Sequence, residues 1–136
     1  MTDASHAIAS TKLIAATAID ERTDDLIRLA KDIWNHPEPG FREHRTARKT
    51  AEFMRSTGLE PREGVAITGV VARLDTGRPG PHIAIMGELD SLIVPEHRAA
   101  DPETGAAHVC GHNIQIGNML AAAVGLSNPA ILEKLN

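Results

Sequence analysis

Apolar positions along this chain fall into helical stretches first, then a stretch of period two, then a helical stretch again. From Asp20 to Asn35, Leu26, Ile27, Ala30, Ile33 and Trp34 recur at helical spacing, with Asp20, Glu21, Asp24 and Asp25 early and Lys31 late, as the helix dipole favours. This predicts an amphipathic helix with Trp34 in the core. Ahead of it, Ile8 to Ile19 is rich in alanine and reads as a frayed or docking N-terminal helix; Ser10, Thr11 and Lys12 interrupt it, and it lacks the basic leader of a signal peptide. His36-Pro37-Glu38-Pro39-Gly40 then breaks the pattern, because each proline removes a donor and holds its predecessor extended. A second helix is predicted from about Glu43 to Thr57, where Ala47, Thr50, Ala51 and Met54 repeat at i, i+3, i+4 and i+7 and Gly58 suits the C-terminal cap.

After Gly58 the period becomes two. Val70, Ala72 and Leu74 alternate with Val71, Arg73 and Asp75, as on a strand with unequal faces, and Arg62 to Ile67 suits a further, weaker strand. Beyond the turn Thr76-Gly77-Arg78-Pro79-Gly80, the unbroken apolar run Ile83 to Met86 suits a central strand covered on both faces. A polar loop, Pro95 to Ala107, leads to a helix from about Asn113 to Leu126, whose Ile116, Met119, Leu120, Ala123 and Val124 share one face. Asn128-Pro129 opens a short last helix. The predicted order is ααβ(β)βα, and its strand, loop and helix make half of a βαβ unit.

Composition narrows the function. At 136 residues the chain has the size of one domain, with 42% hydrophobic and 24% charged residues. A net charge of -4, two Phe, one Trp and no Tyr leave little for a nucleic-acid surface or a base-stacking platform. There is no run of about 18 apolar residues to span a membrane. A single Cys excludes an internal disulfide and makes a reducing, cytoplasmic setting the default expectation.

The candidate chemistry lies after the Ile83 to Met86 run, where ligands gather in parallel α/β sheets. His108-Val109-Cys110-Gly111-His112-Asn113 puts a thiol two residues from an imidazole at a helix entrance, with a glycine between to turn the backbone. Two ligands of one divalent metal fit that spacing. So does a buried free Cys beside a surface His, and so, less well, does a Cys nucleophile, whose His base usually comes from a distant part of the chain. Glu88 and Asp90 are two apart at a strand end, where adjacent carboxylates repel unless a cation or shared proton lies between them; a solvated strand terminus is the plainer alternative. His108 suits support of a ligand. His36, His44, His82 and His97 carry no local signal, and Glu38 and Glu43 around the Pro39-Gly40-Phe41 turn suit a cap and a loop anchor.

Four segments occur in a telling order: His36-Pro37-Glu38-Pro39-Gly40-Phe41-Arg42-Glu43-His44-Arg45-Thr46-Ala47, Thr68-Gly69-Val70-Val71-Ala72, Gly87-Glu88-Leu89-Asp90-Ser91-Leu92, and His108 to Asn113. Over about Asp20 to Leu126 this series resembles the aminoacylase/carboxypeptidase G superfamily of metal-dependent amidohydrolases, in the branch of hippurate and aminobenzoyl-glutamate hydrolases. The resemblance implies an α/β fold: part of a three-layer catalytic domain at residues 19–136, with a mixed, mainly parallel sheet between helices, after an N-terminal extension at 1–18. It implies hydrolysis of N-acyl amino-acid or dipeptide-like amides with two divalent ions, Zn²⁺ or Mn²⁺. By motif match Cys110 and His112 are metal ligands and Asp90 orients the site. Glu88 stands where dinuclear relatives carry a His ligand, and Asn113 where many members carry Asp.

The superfamily's Glu-Glu pair, which includes the general base, its later ligand histidines and its lid and dimerisation domain are not matched in this sequence. The expectation is therefore an N-terminal portion of a homodimeric enzyme, prone to self-association, inactive alone and able to stand without bound metal. A non-catalytic metal-binding or interaction module from a truncated gene of the same family is the alternative.

Overall fold

The computed structural model describes residues 3–135. In chain order its elements are helices α1 (Asp3–Asp20), α2 (Thr23–Trp34) and α3 (His44–Ser56), strands β1 (Arg62–Val65), β2 (Gly69–Val71), β3 (Leu92–Ile93) and β4 (Ala106–Ala107), and helices α4 (His112–Ser127) and α5 (Pro129–Leu132). The three long helices expected from periodicity form within one to three residues of their predicted ends.

Helix α4 is the centre of the packing and touches α1, α2, α3 and α5. Its Ile116, Leu120 and Val124 meet Leu26 and Ile33 of α2 and Phe53 and Met54 of α3 in one core, each large apolar side chain contributing roughly 1.5–3 kcal/mol by leaving water. Helix α1 docks closely because α4 carries Gly125 at the contact. A Cβ there would lie 3.3 Å from Ile19 Cδ1 and 3.4 Å from Ala15 Cβ. Trp34 departs from expectation and is exposed. Leu26, Ala30 and Ile33 form the buried stripe of α2, whereas Ile27 and Trp34, seven residues apart, share a flank outside it.

The mainly parallel sheet does not form among the described residues. Strands β1 and β2 make an antiparallel hairpin, β3 and β4 a second antiparallel pair, and the one parallel contact is a bridge between Pro39 and Ser91. The run Ile83 to Met86 lies in no strand, and Ile83 is 83% exposed. A central strand needs hydrogen-bonded neighbours on both edges, and β1 and β2 satisfy each other instead. Strand β2 likewise stops at Val71 rather than reaching Leu74, although Val70 and Ala72 still pack on the core. Among the described residues no helix is long and apolar enough to cross a membrane.

Glu38 joins these parts. Its carboxylate accepts from the backbone N–H of Arg45 (2.9 Å) and of Thr46 (2.7 Å) and from the Thr46 hydroxyl (2.8 Å). The orphan donors at the start of α3 are thus capped by a residue six positions ahead of the helix. Its backbone carbonyl accepts from Ser91 N–H and Oγ, both at 2.9 Å. Nearby, Arg45 Nη2 reaches both carboxylate oxygens of Asp32 at 2.7 Å, tying α3 to α2 and holding the Asp32 carboxyl below its usual range. Glu38→Ala should lower stability by about 2–3 kcal/mol, the scale of lost charge-assisted hydrogen bonds, as measured by urea unfolding. An unchanged midpoint would show that another group caps α3.

Candidate functional site

The segment Gly87 to Ser91 runs alongside α4. Gly87 lies against Met119 and Ile116, where a Cβ would sit at ordinary contact distances of 3.5 Å from Met119 Sδ and 3.6 Å from Ile116 Cα. Gln115 then fixes the next residue: its Oε1 accepts from Glu88 N–H at 2.7 Å, and its Nε2 lies 3.3 Å from Glu88 Oε2. Gln115 was not expected from the sequence. It stands three residues after His112 on the same helical face, which is the signal that could have identified it.

Gly111 makes the turn into α4 with φ +92°, a conformation that suits glycine, and so separates Cys110 from His112 as the spacing suggested. The imidazole of His112 is nearly buried between the two carboxylates. Its Nδ1 lies 2.9 Å from the Asp90 carbonyl and 3.0 Å from Asp90 Oδ1, and its Nε2 lies 3.1 Å from Glu88 Oε2. Both neighbours of Nδ1 are acceptors, so Nδ1 carries the proton. Nε2 either carries a second proton towards Glu88 or offers its lone pair. In the second state two acceptors face each other, an arrangement that a cation between them relieves. Donors sharing one tetrahedral zinc-sized ion at about 2.0–2.2 Å lie about 3.3–3.6 Å apart, so Nε2 and Oε2, at 3.1 Å, need separate only slightly to share an ion.

Cys110 is exposed and free. Among the described residues no group of three or more His, Cys, Asp or Glu side chains is arranged to hold a metal ion. The geometry therefore unites Glu88, Asp90 and His112 but does not bring Cys110 into a closed set with them.

His108 lies behind this cluster. It is buried, and neither ring nitrogen has a hydrogen-bond partner of good geometry. Burial first, and His112 second, hold its pKa below the ordinary 6.5, while Asp90, the backbone of Ile33 and Glu38 pull weakly the other way. Asn113 is also buried and donates from Nδ2 to the Ala30 carbonyl at 3.2 Å. It links α4 to α2.

A cleft of about 350 Å³ opens beside Glu88 and Asp90, bounded by the Gly40-Phe41 turn and the β1–β2 hairpin. Its buried Glu43 accepts from Thr68 Oγ1 at 2.7 Å, anchoring the loop to the hairpin. Glu38 and Glu43 thus serve as the cap and the anchor expected of them. Phe41, Ala66 and Ile67 have φ of 62°, 49° and 88°, left-handed values that cost non-glycine residues on the order of 1–3 kcal/mol each. All three surround this cleft or its hairpin rim. Gly69 closes the hairpin, as a Cβ there would come within 2.5 Å of the Val65 carbonyl oxygen.

Comparison with known proteins decides the family. Thermostable carboxypeptidase 1 of Saccharolobus solfataricus is 30% identical over 109 residues, 77% of this chain and 28% of that protein. An N-acyl-L-amino acid amidohydrolase of Geobacillus stearothermophilus is 32% identical over 108 residues, 77% and 29% of the two chains. IAA-amino acid hydrolase ILR1-like 2 of Arabidopsis thaliana is 30% identical over 116 residues, 83% and 26%. The chain belongs to the aminoacylase/carboxypeptidase superfamily of amidohydrolases. It spans about a quarter of the length of the curated relatives it matches. No family model matches the chain, and no solved structure matches it.

The names these amidohydrolase relatives carry are those of hydrolases. Two predictions concern side chains buried beside the cluster. Asn113→Asp should cost about 2–3 kcal/mol, because a buried carboxylate would face the Ala30 carbonyl that the amide now donates to; thermal and urea unfolding would measure it. For His108, a folded pKa below 6.5 means that the unfolded chain binds more protons as pH falls below that value. Stability should accordingly be highest above about pH 6.5 and decline below it, and His108→Leu should flatten the decline in parallel unfolding curves.

Proposed function

We propose that these residues form part of the catalytic centre of a metal-dependent hydrolase of N-acyl amino-acid amide bonds, acting on small N-acyl amino acids or dipeptide-like substrates. The observation that carries this reading is the His112 imidazole, its Nδ1–H engaged by Asp90 and its Nε2 facing Glu88. A carboxylate that accepts from one imidazole nitrogen and leaves the other free is the usual support of a ligating histidine. In this reading Cys110 and His112 are ligands, Glu88 is a third donor, Asp90 orients His112 and His108 backs the cluster. The exposed thiol of Cys110 comes into the set once an ion draws it in, and further ligands and the general base come from other residues of the protein. A bound Zn²⁺ or Mn²⁺ supplies Lewis acidity at the scissile carbonyl and acidifies the attacking water.

The residues present do the positioning. Gln115 and Asp90 fix the segment that carries Glu88, and Gly111 sets the direction in which Cys110 and His112 project. Glu88 to Asp90 forms one wall of the cleft, so a substrate held there lies next to the cluster. The same proposal makes Ile83 to Met86 an inner strand of a mainly parallel sheet completed by further strands. Its support is the exposure of Ile83, Ile85 and Met86 together with the greater length of the relatives.

Titration of the chain with Co²⁺, followed by its visible and thiolate charge-transfer bands, tests the ligand set. Cys110→Ser should remove the thiolate band, His112→Ala should weaken binding at least about tenfold, and Asp90→Asn should weaken it about 10- to 100-fold through the lost orienting contact. Binding unaffected by all three, or no binding at all, would overturn the proposal.

A further inference from the structure

We infer that Gln115 sets which divalent ion the cluster prefers, by presenting Glu88 to that ion through one oxygen only. The inference rests on the hydrolase reading, and it adds the positioning residue that decides how Glu88 coordinates. Gln115 stands one turn after His112 on α4, so the helix aims two nitrogens at the same acid. His112 Nε2 lies 3.1 Å from Glu88 Oε2, and Gln115 Nε2 lies 3.3 Å from that same oxygen. At its other end the amide takes Glu88 N–H on Oε1 at 2.7 Å. The side chain thus spans Glu88 from backbone to carboxylate, which needs an acceptor and a donor on one short group, and an amide has both. Gln115 is itself exposed and outside the core, so packing does not account for its place.

A carboxylate that chelates an ion has to turn both oxygens towards it. Glu88 faces the imidazole with Oε2, and swinging Oε1 round to the same point breaks the bond to Gln115. A carboxylate oxygen has two lone pairs, so Oε2 keeps that bond while giving the other pair to an ion beside His112. One oxygen from Glu88, joined to the His112 nitrogen and the Cys110 thiolate, suits a four-coordinate ion that favours nitrogen and sulfur, such as Zn²⁺ or Co²⁺. Mn²⁺ favours a shell of about six donors, mostly oxygen, and gains from a second carboxylate oxygen. Gln115 withholds that oxygen.

The test is competition between ions rather than turnover. The visible band of Co²⁺ bound to the full chain is titrated with Mn²⁺, and the Mn²⁺ concentration that halves the band is compared between the unaltered chain and Gln115→Met, which keeps the side-chain length but carries no amide. Sites of nitrogen, oxygen and sulfur donors generally favour Co²⁺ over Mn²⁺, so the change between the two chains carries the answer. That concentration should fall about tenfold in Gln115→Met, the lower end of the usual effect of a residue that orients a ligand. Exchange of the Glu88 amide hydrogen should quicken, while the urea midpoint stays in place because the amide lies at the surface. A merely structural Gln115 would move the midpoint and leave the competition alone. An unchanged or higher half-point, or an unchanged Glu88 exchange rate, overturns the inference. Absence of a Co²⁺ band in the unaltered chain overturns the hydrolase reading and the inference with it, whereas a band that Mn²⁺ displaces equally from both chains overturns the inference alone.

Discussion

Glu38 is the constraint on which the site's geometry depends. A proline on each side holds it in an extended loop, and from there its carboxylate closes the N-terminus of α3 while its carbonyl takes two hydrogen bonds from Ser91. Helix α3 contributes Phe53 and Met54 to the core, and the segment ending at Ser91 carries Glu88 and Asp90. One residue therefore sets both the orientation of a core helix and the distance of the two acids from α4. The other side of the cluster is set by α4 itself, whose buried apolar positions fix its rotation and so the direction of His112. The acids and the imidazole meet because two separately anchored pieces converge.

The electrostatics of that meeting are unusual for a surface. Three acidic side chains border the cleft or the imidazole, and two arginines are occupied elsewhere: Arg45 by Asp32, and Arg78 by the carbonyls of Leu132 and Leu135. Excess negative charge around one neutral-capable imidazole lowers stability unless a cation is present. Natural proteins accept such local cost where function needs it. The strained Phe41 and Ala66 belong to the same pattern, since both line the cleft with the acids.

Much of this was legible in the sequence, for physical reasons. The helices were readable because their burial is periodic and local, and Gly111 because its place between Cys110 and His112 marks the turn into α4, whereas Asp90 meets His112 from 22 residues away only through the fold. Glu38 and Glu43 were readable as cap and anchor from the proline-rich turn between them. The partners could not be read. That Glu38 reaches Ser91, that Glu43 holds Thr68 and that Asn113 holds the Ala30 carbonyl depends on how distant segments meet, which no local period encodes. The sheet failed for a related reason: Ile83 to Met86 has the composition of an inner strand, but strandness is a property of a pair. Trp34 shows the same limit on a helix, where one step around the axis separates core from solvent.

The run Ile83 to Met86 is also held at both ends. Arg78 donates to the carbonyls of Leu132 and Leu135, and Glu88 N–H is held by Gln115, so the residues between them run between two fixed points. Pinning both ends removes part of the conformational freedom of the residues between them, and leaves their apolar side chains in water rather than in the core.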